Sequence, residues 1–295
     1  MGIARGSQQF RRSRVEELAM RLQTEIDRTT LQALTTAQLR EAYLVESLFL
    51  PGQIDLVAAG LDRAVIGSAV PLAEPLILGP TPELRSAYLC ERRELGVLNL
   101  GGPGRVTVEG TAYPMVNRDA LYIGRGSPQV SFESEQPTTP ARFYLVSYPA
   151  HTTFPTRHAR HAEAQAVPLG SQRDANERTI YKYIHTGGIQ SCQLVMGFTQ
   201  LKEGSVWNTM PPHTHRRRTE IYLYFDVNPD ACVMHFMGEP GTTRHLVVRN
   251  EQAILSPGWS IHCGVGTRHY AFAWAMGGEN QEFTDMDPVN VAELF

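Results

Sequence analysis

The chain lacks the features that mark membrane, secreted and nucleic-acid-binding proteins. No run approaches the roughly eighteen apolar residues that a transmembrane helix requires. The arginines near the start are not followed by an apolar stretch, so the N-terminus does not resemble a secretory signal. The formal net charge is −3, and we therefore expect no nucleic-acid or membrane partner.

Cysteine is scarce, and no two cysteines form a Cys-x-x-Cys pair. This usage predicts reduced thiols in a cytoplasmic protein and argues against a zinc site built from cysteine. The four cysteines are Cys90, Cys192, Cys232 and Cys263. A hydrophobic content of 42% and a charged content of 19% indicate a globular protein with a sizeable core.

Helical patterning is confined to the N-terminal part of the chain. Apolar residues at spacings of three and four predict a first amphipathic helix. These residues are Val15, Leu18, Leu22 and Ile26. A second helix is predicted after Thr35 or Thr36 as N-cap, ending before Pro51-Gly52. Residues 1–50 are therefore predicted to form a helical extension.

After Pro51 the pattern is typical of an all-β protein. Short β-branched and apolar runs alternate with Gly, Pro, Asn and Asp at intervals of about ten residues. Examples are 63–70, 96–100, 105–108, 120–123 and 130–132. A polar stretch from Ala150 to Arg178 is poor in strand formers, and we predict that it connects a first half, 51–149, to a second half, 179–295.

A weak internal sequence similarity predicts that the two halves are duplicated β-barrels. With an offset of 133, residues 119–122 align with 252–255, and Gln129 aligns with His262. Glu94 of the first half corresponds to Glu220 of the second. Two histidines, His213 and His215, precede Glu220, but Ala87 and Leu89 occupy the positions with the same spacing before Glu94. We therefore predict metal ligands in the second half only.

The candidate site is His213-x-His215 followed by Glu220 and, later, His262. Residues i and i+2 of a strand point to one face, so His213 and His215 can point inward together. A turn at 216–219 is needed to bring Glu220 to the same face, which Tyr222 and Tyr224 then share. Three imidazoles and one carboxylate suit a divalent metal with open positions, and they suit Zn, Fe, Mn and Ni alike.

His213-x-His215 with Glu220, followed by Pro257-Gly258 and His262, resembles the two conserved motifs of the cupin superfamily. Further runs stand in order along the chain: Glu91–Gly96, Arg118–Tyr122, Pro149–Thr153, Trp207–Pro211, Asn250–Ala253, Trp259–His262, Gly264–Gly266 and Gly278–Gln281. Together these runs resemble the 5-keto-4-deoxyuronate isomerase family from about Arg40 onward, and residues 1 to about 38 depart from the family's shorter start. The resemblance implies two cupin-like β-barrels (double-stranded β-helices) in tandem.

The same resemblance implies a function. His213, His215, Glu220 and His262 stand where the family binds one zinc ion. The implied reaction is an aldose–ketose isomerisation, an intramolecular oxidoreduction in pectin breakdown. It interconverts 5-dehydro-4-deoxy-D-glucuronate and 3-deoxy-D-glycero-2,5-hexodiulosonate. The resemblance further implies a homo-oligomer such as a hexamer.

Candidate catalytic and substrate-binding residues follow from this chemistry. Tyr222 and Glu279 are candidate acid or base groups, and Asp285 is a third. Arg217 and Arg218 suit a uronate carboxylate because a guanidinium matches it in a bidentate fork, and Trp207 suits the floor of a sugar pocket. Each has a structural alternative as a surface, turn or core residue. Proton transfer through an enediolate and a hydride shift both fit the sequence.

Two other functions fit the same ligand set. A cupin dioxygenase would use three histidines and a glutamate to hold iron or nickel for oxygen chemistry. A sugar-acid-binding cupin without enzymatic activity would be consistent with a first half that lacks the histidine pair. Metal analysis combined with oxygen-uptake and isomerisation assays discriminates among the three.

Overall fold

Nearly all regular structure in the chain is β. The computed structural model describes residues 18–24 and 26–295. Their first elements are β1 (Met20–Gln23), α1 (Thr36–Tyr43), β2 (Leu44–Val45), β3 (Ile54–Ala59), β4 (Val65–Ala69), β5 (Leu76–Ile77), β6 (Arg93–Asn99), β7 (Gly104–Val108), β8 (Thr111–Met115), β9 (Ala120–Ile123), β10 (Val130–Ser134), β11 (Phe143–Pro149) and β12 (Arg157–Ala159).

The later strands continue the same architecture. They are β13 (Gln165–Leu169), β14 (Arg178–Ile184), β15 (Val195–Leu201), β16 (Trp207–Asn208), β17 (His213–Thr214), β18 (Arg218–Phe225), β19 (Val233–Glu239), β20 (Thr242–Val248), β21 (Gln252–Ser256), β22 (Cys263–Gly266), β23 (Ala271–Gly278) and β24 (Asp287–Pro288). Short 3-10 helices lie at Leu31–Ala33, Leu61–Arg63, Pro82–Leu84, Leu89–Glu91, His161–Glu163 and Val291–Glu293.

The strands form two pairs of sheets with the same strand order. The first half contains a seven-stranded sheet, β1-β3-β4-β11-β6-β9-β12, and a four-stranded sheet, β5-β10-β7-β8. The second half contains β13-β14-β15-β23-β18-β21-β2 and β16-β22-β19-β20. Each strand position in one half therefore has a counterpart in the other, although β2 reaches the second half from the N-terminal segment.

Three hydrophobic clusters hold these layers together. One fills the space between the two sheets of the first half, and a second does so in the second half. The third lies between the two seven-stranded sheets and joins the halves, with Tyr122 and Tyr144 packing near Phe198 and Leu223. Residues therefore alternate along each long strand between the interior of a half and the contact with the other half.

The predicted β-rich texture after Pro51 is confirmed. The runs predicted as strands at 63–70, 105–108 and 130–132 coincide with β4, β7 and β10 within a few residues. The run at 96–100 overlaps β6, which begins three residues earlier, at Arg93.

The prediction of a first helix through Leu18, Leu22 and Ile26 is wrong for the described residues; Val15 lies outside them. Met20–Gln23 is a strand that pairs in parallel with β3. Met20 is buried whereas Leu22 is 72% exposed, so the segment alternates as a strand does. The edge of β3 offers this short segment backbone partners that outweigh its weak helical spacing.

The second predicted helix is confirmed as α1. Thr35 is its N-cap and forms a reciprocal capping box with Gln38. Arg244 donates hydrogen bonds to the carbonyl oxygens of Leu31 and Leu34, which fixes the preceding turn to β20. No helix among the described residues is long and apolar enough to span a lipid bilayer.

The stretch from Ala150 to Arg178 does more than connect the halves. It supplies β12 to the first seven-stranded sheet and β13 to the second. Both are edge strands whose side chains are mostly exposed, and such strands need few apolar residues, so the sequence pattern did not predict them.

Candidate metal centre

A tight turn brings three of the four predicted ligands together, and His262 joins them from the residue before β22. His213 lies on β17, and Arg216-Arg217 form the turn that reverses the chain. The backbone N–H of Arg218 donates to the carbonyl oxygen of His215 at 3.0 Å, and Glu220 then points inward from β18. The predicted turn is confirmed, although β18 begins at Arg218.

The ligand atoms converge on one point. The Nε2 atoms of His213 and His215 are 3.0 Å apart, and those of His213 and His262 are 3.1 Å apart. An oxygen of Glu220 lies 2.9 Å from Nε2 of His215 and 2.8 Å from Nε2 of His262. One donor atom from each of the four residues lies within 4.8 Å of the other three, so the cluster could hold a metal ion.

Hydrogen bonds behind the cluster determine which ring nitrogens face it. Nδ1 of His215 lies 2.6 Å from the carbonyl oxygen of Asp285, which can only accept a hydrogen bond. Nδ1 must therefore carry the proton, and in the neutral ring the Nε2 lone pair points at the cluster. Nδ1 of His262 similarly faces the carbonyl oxygen of Ser260 at 3.4 Å, a longer contact.

This arrangement fits a cation at the centre. The Nε2 lone pairs of neutral imidazoles point toward the carboxylate of Glu220, and they repel it unless a positive charge lies between them. Burial, together with His262 and His215, lowers the pKa of His213 to about 2, which keeps this ring neutral. Burial opposes ionisation of Glu220, but without a cation protonated His262 and His215 would outweigh it and lower the pKa of Glu220 well below the usual value. A central cation supplies that positive charge when the rings are neutral.

Arg217 of the turn and Arg218 at the start of β18 anchor the segment that supports His215. Arg218 is buried and donates to the carbonyl oxygens of Glu282 and Asp285. Arg217 is exposed, and its side chain pairs with the carboxylates of Asp285 and Asp287. Both guanidinium groups therefore already have partners within the chain.

A cavity of about 230 Å³ opens next to the cluster. Tyr222 lines it, and its hydroxyl lies 3.0 Å from Oγ1 of Thr209. Burial first, and then the charge of Glu220, raises the pKa of Tyr222 well above its usual value. The remaining wall is mostly apolar: Ile180, Phe272, Trp274, Met276, Phe283 and Met286.

The other predicted site residues do not line this cavity. Tyr224 lies behind it, 2.7 Å from Nδ1 of the buried His235, so the prediction that both tyrosines line the cavity is wrong for Tyr224. Trp207 stacks on Phe236 beside a different, smaller cavity. Glu279 lines a cleft with Arg217 and Arg218 on the other side of the turn.

The sequence-based prediction missed three polar residues of the cavity: Arg178, Thr199 and Thr209. Arg178 begins β14 and reaches the cavity from that strand, and Thr209 follows β16. Thr209 stands inside the Trp207–Pro211 run that carries the family resemblance. Arg178 was predicted to end the connection, but it lies two residues before Ile180 in β14. A strand predicted to begin one residue earlier would have placed both side chains on the interior face.

The first half has no counterpart of the glutamate ligand. In the paired strands, Glu220 stands opposite Ser256, and Leu95 stands opposite Ile123. With the offset of 133 between β9 and β21, Leu95 occupies the position of Glu220. The predicted counterpart Glu94 is therefore displaced by one residue, which directs its side chain to the opposite face.

Glu94 instead binds a loop of the second half. Its carboxylate accepts hydrogen bonds from the backbone N–H groups of Cys192, Gln193 and Leu194 at 2.6–2.8 Å. The hydroxyl of Tyr122 donates to it at 2.8 Å. Glu94 is thus a buried contact between the halves.

Two packed sheets around a cluster of three histidines and one glutamate define a cupin-like protein with a candidate metal centre. Solved structures share this fold. An IolB-like protein from Salmonella typhimurium LT2 aligns with a TM-score of 0.67 and 13% identity, over 81% of this chain and 94% of that one. Oxalate decarboxylase from Bacillus subtilis, which has Mn(II) centres, aligns with a TM-score of 0.52 and 11% identity, over 75% and 70%.

Sequence relatives define the family. Residues 75–291 match the model of the KduI/IolB family. The 4-deoxy-L-threo-5-hexosulose-uronate ketol-isomerase of Shouchella clausii is 54% identical over 93% of this chain and 100% of its own length. The protein of that name from Halalkalibacterium halodurans is 55% identical over 88% and 94%. The chain belongs to the KduI/IolB family.

Proposed function

We propose that the chain is a metal-dependent ketol-isomerase of uronate catabolism. It would interconvert 5-dehydro-4-deoxy-D-glucuronate and 3-deoxy-D-glycero-2,5-hexodiulosonate, in the breakdown of pectin. The observation that carries the proposal is the four-ligand cluster beside a cavity, in a chain 54% identical to a ketol-isomerase along that enzyme's whole length.

We propose zinc as the resident ion, one per chain, held by His213, His215, Glu220 and His262. Three imidazoles and one carboxylate are ordinary zinc ligands, and the described part of the first half contains no comparable cluster. A bound divalent ion stabilises negative charge that develops on a substrate carbonyl oxygen.

Tyr222 is the chain's own candidate for holding a proton at the substrate. Its raised pKa keeps the phenol protonated at neutral pH, and Thr209 fixes the direction of the hydroxyl. A protonated hydroxyl in the cavity donates a hydrogen bond to a substrate oxygen whose charge grows during isomerisation. Glu279 remains a prediction, and its place outside the cavity does not favour it.

The proposal for Tyr222 is tested by Tyr222→Phe with Tyr224→Phe as the matched control. Both tyrosines project from the same face of β18, but Tyr222 alone of the two lines the cavity. We expect Tyr222→Phe to lower kcat about 10²–10³-fold with zinc content unchanged, and Tyr224→Phe to change kcat far less. Equal losses in both variants would contradict the role of Tyr222.

We propose that each half is one cupin-like β-barrel, so that the two stand in tandem. The common strand order supports this, as does a further pair of equivalent residues: Arg93 begins β6 where Arg218 begins β18. Both are buried and donate to backbone carbonyl oxygens. The proposed division is 51–149, a connection over 150–178 that lends one strand to each barrel, and 179–295.

We also propose a cytoplasmic homo-oligomer, with a hexamer as the expected form. Four cysteines without disulfide partners support a reducing compartment. The N-terminal region would be an extension, partly helical through α1, that ties the barrels together. Analytical ultracentrifugation tests the assembly, and a monomer at micromolar concentration would contradict it.

A further inference from the structure

Arg178 stands out among the cavity residues because it is charged and has no acidic partner. It is half-buried, and its Nη1 donates a hydrogen bond to the carbonyl oxygen of Asn176 at 2.8 Å. Within residues 18–24 and 26–295, no carboxylate forms a salt bridge with it. Arg217, by contrast, is paired with two carboxylates.

The fold brings Arg178 to the cavity from a different wall than the metal cluster. Arg178 lies on β14, whereas Glu220 and Tyr222 lie on β18, and β15 and β23 separate these strands in the sheet. All three residues nevertheless line one cavity, because their side chains share the interior face of the curved sheet.

Arg178 is the lone arginine or lysine among the described residues that line this cavity. Most of its neighbours there are apolar, so a guanidinium with unused donors remains incompletely compensated until an anion binds. A planar guanidinium matches a carboxylate through two parallel hydrogen bonds.

We propose that Arg178 binds the substrate carboxylate and is the residue that makes the site specific for uronic acids. This inference rests on the proposed function, because it concerns the same cavity. A hexuronate carries its carboxylate at C6, remote from the C1 and C2 atoms that isomerise. Arg178 on one wall of the cavity and the metal cluster on another match this separation between the carboxylate and the reacting carbons.

The assignment also replaces an expectation from the sequence. Arg217 and Arg218 were the arginines predicted to bind the carboxylate, but both lie outside the cavity and already have partners. Arg178 has the opposite properties: it lies in the cavity and lacks an anionic partner.

The test compares Arg178→Gln with Arg178→Lys and with Arg173→Gln as a matched control. Arg173 is an exposed arginine five residues earlier and does not line the cavity. For Arg178→Gln we expect KM for 5-dehydro-4-deoxy-D-glucuronate to rise about 10–100-fold, with a smaller change in kcat and unchanged zinc content. Arg178→Lys should recover part of the loss, and Arg173→Gln should match the wild type. An unchanged KM in Arg178→Gln would overturn the proposal.

A binding measurement separates this inference from the proposed reaction. D-glucuronate and D-glucose differ at C6, and isothermal titration of the zinc-loaded protein compares their affinities. We expect the wild type to prefer glucuronate by at least about tenfold, and Arg178→Gln to lose that preference. A preference that survives in Arg178→Gln overturns the role of Arg178. If the wild type has no isomerase activity but prefers glucuronate, and Arg178→Gln loses that preference, the proposed reaction is contradicted while the carboxylate site is supported.

Discussion

The two halves of the molecule share a strand order and differ in what fills them. The interior of the first half is apolar, with Leu95, Val97, Ile123 and Phe143 in one cluster. At the position of Leu95 the second half has Glu220, which converges with three histidines beside a cavity. The same scaffold therefore supports a packed core in one copy and a candidate metal centre in the other.

The comparison teaches that the scaffold alone does not make a site. In the first half an inward carboxylate would face apolar neighbours, and desolvation would be uncompensated. In the second half the turn at Arg216-Arg217 and the carbonyl oxygen of Asp285 orient imidazoles around Glu220. Exchanging residues between equivalent positions tests this difference directly.

The largest effect is expected when the second half receives the residue of the first. Glu220→Leu removes the anionic ligand, so we expect loss of bound zinc and a fall in isomerase activity of about 10³-fold or more, corresponding to several kcal/mol. The melting temperature should be no lower than that of the zinc-free wild type, because leucine suits the equivalent position. Zinc content and initial rates are the measurements. A Glu220→Leu protein that keeps both zinc and turnover would refute the ligand assignment.

The reverse exchange should damage stability without creating a site. Leu95→Glu buries a carboxylate among apolar side chains with no cation or histidine cluster, at a cost of about 3–5 kcal/mol. Urea denaturation measures this cost, and Leu95→Met, which conserves volume, should cost less than about 1.5 kcal/mol. Additional zinc bound by Leu95→Glu would show that the first half retains a hidden ligand set.

A smaller effect is expected at the contact between the halves. In the wild type, backbone N–H groups donate to the carboxylate of Glu94. Glu94→Gln replaces one carboxylate oxygen by an N–H₂ group that cannot accept, which should lower the free energy of unfolding by about 1–3 kcal/mol. Exposed Glu109→Gln is the control and should remain within about 0.5 kcal/mol of the wild type. Zinc content should not change in either variant. Loss of zinc in Glu94→Gln would mean that Glu94 supports the metal centre after all.

The sequence was most informative where the structure is local. His213, His215 and Glu220 are joined by one short turn, so strand alternation and turn composition were enough to bring them together. Tyr222 followed from the same alternation. The predicted equivalence of Glu94 and Glu220 was wrong because a shift of one residue moves a side chain to the opposite face of a strand. Sequence similarity alone did not determine the register.

Features that depend on long-range geometry were not visible in the sequence. Arg178 lines the same cavity as the metal cluster although two strands separate β14 from β18, and this proximity depends on the shape of the whole sheet. The support of His215 comes from a backbone carbonyl oxygen, which every residue possesses. Met20–Gln23 was misassigned because its apolar spacing suits a helix, whereas its partner strand lies more than thirty residues away.

The dependence of the reaction on zinc is measured as isomer formation from 5-dehydro-4-deoxy-D-glucuronate by protein of known zinc content. The rate is followed before chelation, after chelation and after zinc is restored. We expect one zinc per chain, loss of turnover by about 10³-fold or more when zinc is removed, and recovery when it is restored. Undiminished turnover by protein with no detectable metal would contradict this dependence on zinc.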